Sequence, residues 1–245
     1  MSRIRCRLLP TTATAGAVQM AWDEALLEAS TGAVLRLYRW EPPAVSLGYF
    51  QEAAPIRRQL PAGIDLVRRI TGGGAIWHEQ EVTYALAADI GVVPERPAEL
   101  YHRLHQAIQA SVEGRGGRLR RQPTSVGDRR YRDEPRCFAS PATDDLLAVD
   151  GGKVLGSAAR RRGARVLVHG SLKLASNPWD GASAAGCGLD PEAAAAAVVE
   201  GISEAFAMHL VEDRPTPAET AAAERIFGQR YADDRWVEHR DGPRA

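Results

Sequence analysis

Short runs of alternating apolar and polar residues and a few long helical stretches follow one another along this 245-residue chain without a regular β-α-β alternation. That order constrains the fold more than any composition figure, because a parallel doubly wound sheet needs a helix between successive strands. The chain therefore reads as α+β, with a largely antiparallel or mixed sheet. Ile4–Leu9, Ala33–Trp40, Ala44–Phe50, Ile64–Ile70 and Glu81–Ala88 are strand candidates, and the two flanking Pro42-Pro43 are expected to form a hairpin. Gly16–Ala29 carries apolar residues at helical spacing up to the stop at Ser30-Thr31-Gly32, and Pro97–Glu113 reads as an amphipathic helix. Asp145–Val149, Lys153–Ala159 and Arg165–Leu174 form a series of short strands between Gly-rich turns. The part from about Pro191 to Glu238 is Ala-rich and reads as helical, broken at Asp213–Pro217. With no internal repeat, residues 1–245 are expected to form a single domain with a helical C-terminal part from about residue 190.

At 44% hydrophobic and 25% charged residues the chain can bury a sizeable core. Thirty-one acids balance 31 bases, which argues against a nucleic-acid binder held by bulk charge. No apolar run has the length of a membrane span, and Met1–Cys6 lacks the apolar stretch of a signal peptide. Three cysteines form no disulfide framework, so a cytoplasmic, reducing location is expected. Of the 31 basic residues only Lys153 and Lys173 are lysines. A GC-biased coding sequence accounts for such a bias. It also means that a lysine marks a place where a compact, titratable ammonium matters. Lys153, between glycines, draws attention on this ground; Lys173 is expected at the surface.

Gly72–Gly74, between two apolar segments, could cradle a phosphate or an acyl carbonyl with its backbone N–H groups, or serve only as a turn. Common nucleotide and metal motifs do not fit. Trp77 stands where G-x-G-x-x-G needs its last Gly, Gly152-Lys153 lacks the rest of a P-loop, and Val82 occupies the second His position of H-E-x-x-H. No metal site is expected. Cys137 follows the arginine-rich stretch Gly114–Arg136, which holds eight arginines against three acids. It reads either as a nucleophile activated by nearby cations or as a small buried hydrophobe. Cys6 and Cys187 read as buried hydrophobes. His169, in an otherwise apolar strand, reads as a hydrogen-bonded core histidine. The arginine-rich stretch is either a solvated insertion or a docking surface for an acidic carrier protein.

Several segments in fixed order resemble the lipoate-protein ligase and octanoyltransferase family: Met20–Leu27, Leu35–Trp40, Ser46–Gln51, Val67–His78, Gly152–Ala158 and His169–Leu172. The tail Tyr231–Trp236 is similar to the C-terminal end of these enzymes. The resemblance implies the fold shared with biotin protein ligases, a mixed central sheet flanked by helices with an acyl-binding tunnel. It implies that Arg68, Arg69, Thr71, Gly72, Gly73, Gly74 and His78 bind substrate on the arginine–glycine loop. Gly156, Ser157, Ala158, His169 and Gly170 are implied as further substrate-binding residues, and Lys153 as the lysine that contacts the activated carbonyl.

Family members attach lipoyl or octanoyl groups to a lysine of a carrier domain. Cys137, in Cys137-Phe138-Ala139-Ser140-Pro141, falls where one octanoyltransferase branch carries its nucleophile in a Cys-Phe-x-x-Pro-like context. The implied activity is octanoyl transfer through a Cys137 thioester, with Lys153 as its catalytic partner and no cofactor. The implied donor is an acyl carrier protein carrying octanoate. The implied acceptors are lipoyl domains of 2-oxoacid dehydrogenase E2 subunits or the glycine-cleavage H protein, and a monomer is expected. Two alternatives stand beside it. One is an ATP-dependent lipoate ligase, which uses ATP and Mg2+ to form a lipoyl-adenylate and shares the glycine loop. The other is an inactive module that binds lipoyl or acyl carriers.

Overall fold

The computed structural model describes residues 3–124 and 134–240. In chain order the first elements are β1 (Ile4–Leu8), β2 (Thr12–Thr14), α1 (Gly16–Ala29), β3 (Ala33–Trp40), β4 (Ala44–Leu47) and α2 (Ala53–Arg57). Next come β5 (Asp65–Arg68), β6 (Ile76–His78), β7 (Glu81–Asp89), α3 (Pro97–Glu113), β8 (Leu119–Arg121) and β9 (Leu146–Ala148). The last are β10 (Lys153–Arg162), β11 (Arg165–Lys173), α4 (Pro191–Ala205), β12 (Met208–Glu212), α5 (Pro217–Ile226) and α6 (Arg235–His239). The large sheet runs β12-β1-β3-β7-β11-β10-β9-β8, with β2 also paired to β3. Its β12-β1-β3 edge is parallel, and β3 through β8 is antiparallel. A second, three-stranded sheet has the order β5-β4-β6.

The period of two along β3 and β7 explains the layering. Leu35, Leu37, Tyr84 and Leu86 face one way, onto Leu104 and Ile108 of α3 and Ala197 and Ile202 of α4. Val34, Tyr38, Ala85 and Ala87 face the other, onto Met20 and Leu26 of α1, Ala222 of α5 and Trp236 of α6. The result is the mixed sheet flanked by helices that the sequence implied. Helices α4 and α5 begin where their caps dictate. Asp190 accepts the Ala193 N–H at 2.8 Å ahead of Pro191, and Thr216 with Glu219 forms a reciprocal capping box around Pro217.

Three expectations need correction. The segments flanking Pro42-Pro43 do not form a hairpin: β3 already has β1, β2 and β7 as neighbours, and β4 leaves it for the smaller sheet. The C-terminal part is not wholly helical, because β12 returns to the large sheet beside β1. Its five residues sit between two helices, where the surrounding alanines mask their strand pattern. Lys173 is not at the surface; it is 2% exposed at the end of β11. Of the eight arginines in the stretch read as either a solvated insertion or a docking surface, Arg129, Arg130 and Arg132 lie outside the described residues.

Candidate active site

Cys137 is held from two directions. Its segment is zipped onto the end of the glycine loop: the Ala75 N–H donates to the Pro135 carbonyl at 2.8 Å, and the Cys137 N–H donates to the Ala75 carbonyl at 2.8 Å. Arg136 fastens the same segment by donating to the Trp179 carbonyl and pairing with Glu134. From the other side comes Lys153, which opens β10 after a turn with Gly151 at φ 104°. Its Nζ lies 3.2 Å from Cys137 Sγ, 3.3 Å from the Cys137 carbonyl and 2.7 Å from Asp145 Oδ2. Lys153 and Asp145 are both buried, and Asp145 also accepts the Ala142 N–H. The ammonium has room because residue 156 is glycine: a Cβ there would stand 2.6 Å from both Lys153 Cε and Nζ.

Cys137 and Lys153 open onto a cavity of about 1020 Å³. Its apolar wall includes Met20, Tyr38, Trp40 and Ile76. Of the residues the sequence implied, Arg69, Gly72, Gly73, His78, Gly156, Ser157, Ala158, His169 and Gly170 also line it. The Arg69 guanidinium donates to the Gly72 carbonyl at 2.8 Å, the Gly74 carbonyl at 2.7 Å and the Ser46 carbonyl at 2.9 Å, so it shapes the loop from inside. Gly48 allows the loop to pass close by, since a Cβ there would stand 1.9 Å from the Gly73 carbonyl oxygen.

Three of the implied residues are placed elsewhere. Arg68, expected to bind substrate, is fully buried and donates to the carbonyls of Gly48, Tyr49, Gln51, Trp236 and Val237. It fastens α6 to the turn after β4 rather than lining the cavity, because adjacent residues leaving a strand point to opposite sides. Thr71 is buried and bonds His169, the Gly74 carbonyl accepts from Arg69, and neither residue lines the cavity.

Three polar networks back the wall. His169 has its Nδ1 2.7 Å from Asp23 Oδ2 and its Nε2 2.7 Å from Thr71 Oγ1. It is the hydrogen-bonded core histidine read from the sequence, and Asp23 further accepts from Arg36 and Tyr38. Ser157 lies 2.6 Å from both the Tyr84 hydroxyl and His105 Nε2, and His105 Nδ1 lies 2.8 Å from the Asp144 carbonyl. That carbonyl fixes the tautomer: Nδ1–H donates to it, and the Ser157 hydroxyl donates to Nε2. Burial pushes His105 down, which keeps it neutral.

The third network joins Ser46, His78, Glu81 and Lys173. His78 stacks on Trp40 at 3.8 Å and lies 2.7 Å from Ser46 Oγ and 2.6 Å from Glu81 Oε1. Burial pushes His78 down to about 4, against the pull of Glu81. Burial alone would raise Glu81; the charge of Lys173 and the hydrogen bonds from His78 and Lys173 outweigh it and hold the carboxyl below its usual range. With His78 neutral near pH 7, Lys173 is the cation that keeps Glu81 ionised.

Acid should therefore weaken the fold. Unfolded, His78 takes up its proton near 6.5; folded, it does so only near 4. Below 6.5 the unfolded chain binds more protons, so this contribution is complete above 6.5 and is lost as the pH falls toward 4. Its full size is at most about 3 kcal/mol. Glu81, held low in the folded state, acts in the same direction. Urea unfolding at pH 7 and pH 4.5 is expected to show a smaller loss for His78→Gln than for the wild type, and equal losses would refute the assignment.

Cys6 and Cys187 are buried away from this cavity, and burial pushes the Cys6 thiol up to about 12 and raises that of Cys187. Sequence reading missed Asp145, Glu81, Asp23, His105 and Phe138. None of them carried a local signal that set it apart from an ordinary turn, core or surface residue. Among the described residues, no group of three or more His, Cys, Asp or Glu could hold a metal ion, and no helix is long and apolar enough to cross a membrane.

A buried lysine thus stands against a cysteine in a cavity lined by the glycine loop and strands of the mixed sheet. Residues 15–205 match the family model of the lipoyl protein ligase A/B catalytic domain, and the chain belongs to this family. Octanoyltransferase LipM of Moorella thermoacetica is 37% identical over 187 residues, which are 71% of this chain and 67% of that protein. The LipM of Kyrpidia tusciae is 32% identical over 239 residues, 90% of this chain and 82% of that protein. Among solved structures, a lipoate-protein ligase A bound with ATP has a TM-score of 0.80 at 22% identity, covering 95% of this chain and 98% of its own. The bi-partite lipoate protein ligase with its E2 lipoyl domain from Thermoplasma acidophilum has 0.76 at 21% identity, covering 96% of each. At these identities the structural likeness is one of fold.

Proposed function

We propose that this protein is an octanoyltransferase of protein lipoylation, which moves an octanoyl group onto a lysine of a lipoyl domain through a thioester on Cys137. The observation that carries the reading is the 3.2 Å contact between Lys153 Nζ and Cys137 Sγ at the cavity wall. An ammonium at that distance stabilises a thiolate by charge and hydrogen bonding. The names of the relatives support octanoyl as the group moved, and the E2 lipoyl domain that accompanies one structural neighbour supports the acceptor class. The finer parts of the reading are an acyl carrier protein as donor, the glycine-cleavage H protein as a further acceptor, and a cytoplasmic setting.

In the first step the Cys137 thiolate attacks the carbonyl carbon of the octanoyl thioester. The carrier's carbon–sulfur bond then breaks, and the departing sulfur takes up the proton that Cys137 lost on ionising, so the carrier leaves as its thiol. In the second step the acceptor lysine amine attacks the Cys137 thioester. A carbon–nitrogen bond forms, the bond to Sγ breaks, and the amine's proton departs with the regenerated thiol. Lys153 stays charged against Asp145 and steadies the sulfur when it is anionic. The carbonyl of Gly72 is turned into Arg69, and a trans peptide sets the next N–H antiparallel to it. The Gly73 N–H is thereby aimed away from Arg69, on a residue that lines the cavity. The cavity is at the upper end of the roughly 300–1,000 Å³ typical of small-ligand sites, enough for an eight-carbon chain and the incoming group.

The test has two arms: octanoyl-carrier protein without ATP, and free lipoate with ATP and Mg2+, each with a lipoyl domain as acceptor. The expected result is ATP-independent transfer with one octanoyl group on Cys137 by intact mass. Transfer only from lipoate with ATP and Mg2+, with Cys137 unmodified, would replace this reading by the ligase. Failure of both arms would leave a carrier-binding module.

A further inference from the structure

Both lysines of the chain are buried around a single ring. Lys153 Nζ lies 5.1 Å from the centroid of Phe138, and Lys173 Nζ lies 4.9 Å from it. Phe138 is 1% exposed and adjoins Cys137 in the chain. Taking Cys137 as the nucleophile, we propose that Lys173 is a positioning residue for it. The ammonium, tied to Glu81 and the Trp77 carbonyl, clamps the Phe138 ring and so keeps the thiol against Lys153.

Packing alone holds this segment weakly. Cys137 and Phe138 belong to a small apolar cluster completed by Ala184 and edged by Ile76, separate from the main cores. A satellite of that size leaves the ring to be fixed by other forces, and two ammonium–ring contacts supply them. Lys173 is suited to the task because an ammonium has three donors on a compact charge. It donates to Glu81 Oε2 and to the Trp77 carbonyl, leaving a side for the ring face. Its place is set by the β7–β11 register, in which Lys173 stands directly opposite Glu81. Glu81 is anchored in turn by His78, Thr83 and Ser171. An ion pair buried this deeply is seldom kept for stability, since an apolar pair of similar shape serves as well. In a chain that uses arginine for 29 of its 31 positive charges (31 less the two lysines), both lysines meet at the reacting sulfur's neighbour.

Among the described residues, the other charges near this sulfur are accounted for. Asp145 pairs with Lys153, and Arg136 pairs with Glu134. Asp180 is buried next to Trp179, within the fields of Lys173, Arg136 and Lys153. His78 and His105 stand behind Glu81 and Asp145 respectively.

The test reads Cys137 directly, as the pH profile of its alkylation by iodoacetamide followed by peptide mass, with the thiols of Cys6 and Cys187 buried. Lys173→Met alone strands Glu81, so the main variant is Lys173→Met with Glu81→Gln, compared with Lys173→Arg. In the folded double variant, alkylation of Cys137 at pH 7 is expected to slow about tenfold, with the profile moved up by about one pH unit. Acylation by the octanoyl donor should slow by a similar factor, and Lys173→Arg should fall between. In a Phe138→Leu background the same double change should have little further effect, because the ring is the route. A folded double variant with the wild-type profile would overturn the proposal, as would an undiminished effect in the Phe138→Leu background. A wild type whose Cys137 alkylates but takes no octanoyl group would instead overturn the transferase reading and leave this test standing.

Discussion

Cys137→Ala is expected to abolish octanoyl transfer, lowering the single-turnover rate by roughly 10⁴-fold or more. The size follows from the two-step chemistry. Without the sulfur there is nowhere to store the acyl group between departure of the carrier and arrival of the lysine, and the amine must meet the thioester directly. The protein itself should tolerate the change. Cys137 belongs to a small satellite cluster, and its hydrogen bond to Ala75 is made by the backbone N–H. Removing one buried sulfur from such a site costs about 1 kcal/mol. Intact mass after mixing with the octanoyl donor should show the acyl adduct on the wild type and none on the variant. Full activity in a folded Cys137→Ala protein would remove the thioester from the mechanism.

Lys153→Met should be the second most damaging change, with the rate of acylation falling about 10²–10³-fold. The ammonium 3.2 Å from the sulfur is lost, and with it the charge that steadies the thiolate. The single variant also strands the buried Asp145 carboxylate, at a stability cost of roughly 3–5 kcal/mol. Lys153→Met combined with Asp145→Asn separates the two effects. The asparagine oxygen can still accept the Ala142 N–H that Asp145 accepts now. The double variant is expected to recover much of the melting temperature while its acylation rate stays low. If activity returned together with stability, Lys153 would be a structural residue. Gly156→Ala offers a milder route to the same loss, since its methyl group would occupy the space of the ammonium.

The legible part of this site was carried by local patterns. Cys137 and Lys153 stood out through their neighbours, one beside an arginine-rich stretch and the other between glycines, and family-like order tied them together. The glycine loop was visible because its backbone has to pass Gly48 and adopt conformations such as φ 97° at Gly73. Asp145 was hidden because an acid at the start of a strand resembles any solvated turn residue. Lys173 was misread for a similar reason: nothing within a few residues of it says that Glu81, 92 positions earlier, stands opposite. Arg68 and Arg69 show the opposite error. They are equal in composition and in motif, yet the alternation of the chain sends one to the α6 carbonyls and the other to the glycine loop.

What the sequence determined by itself was the set of elements and the chemistry available to them. Its periodicities define α1 and α3, its prolines and Asp190 and Thr216 start α4 and α5, and its residues supply three thiols and two ammoniums. What only the tertiary structure decided was which of these groups share a space. The β7–β11 register brings Lys173 onto Glu81, and the bridge between Ala75 and Arg136 carries Cys137 to the loop. The turn before β10 then brings Lys153 to the sulfur. Local spacing cannot encode such pairings, because each depends on contacts between segments many residues apart. Their energies are collected only when the whole sheet has formed.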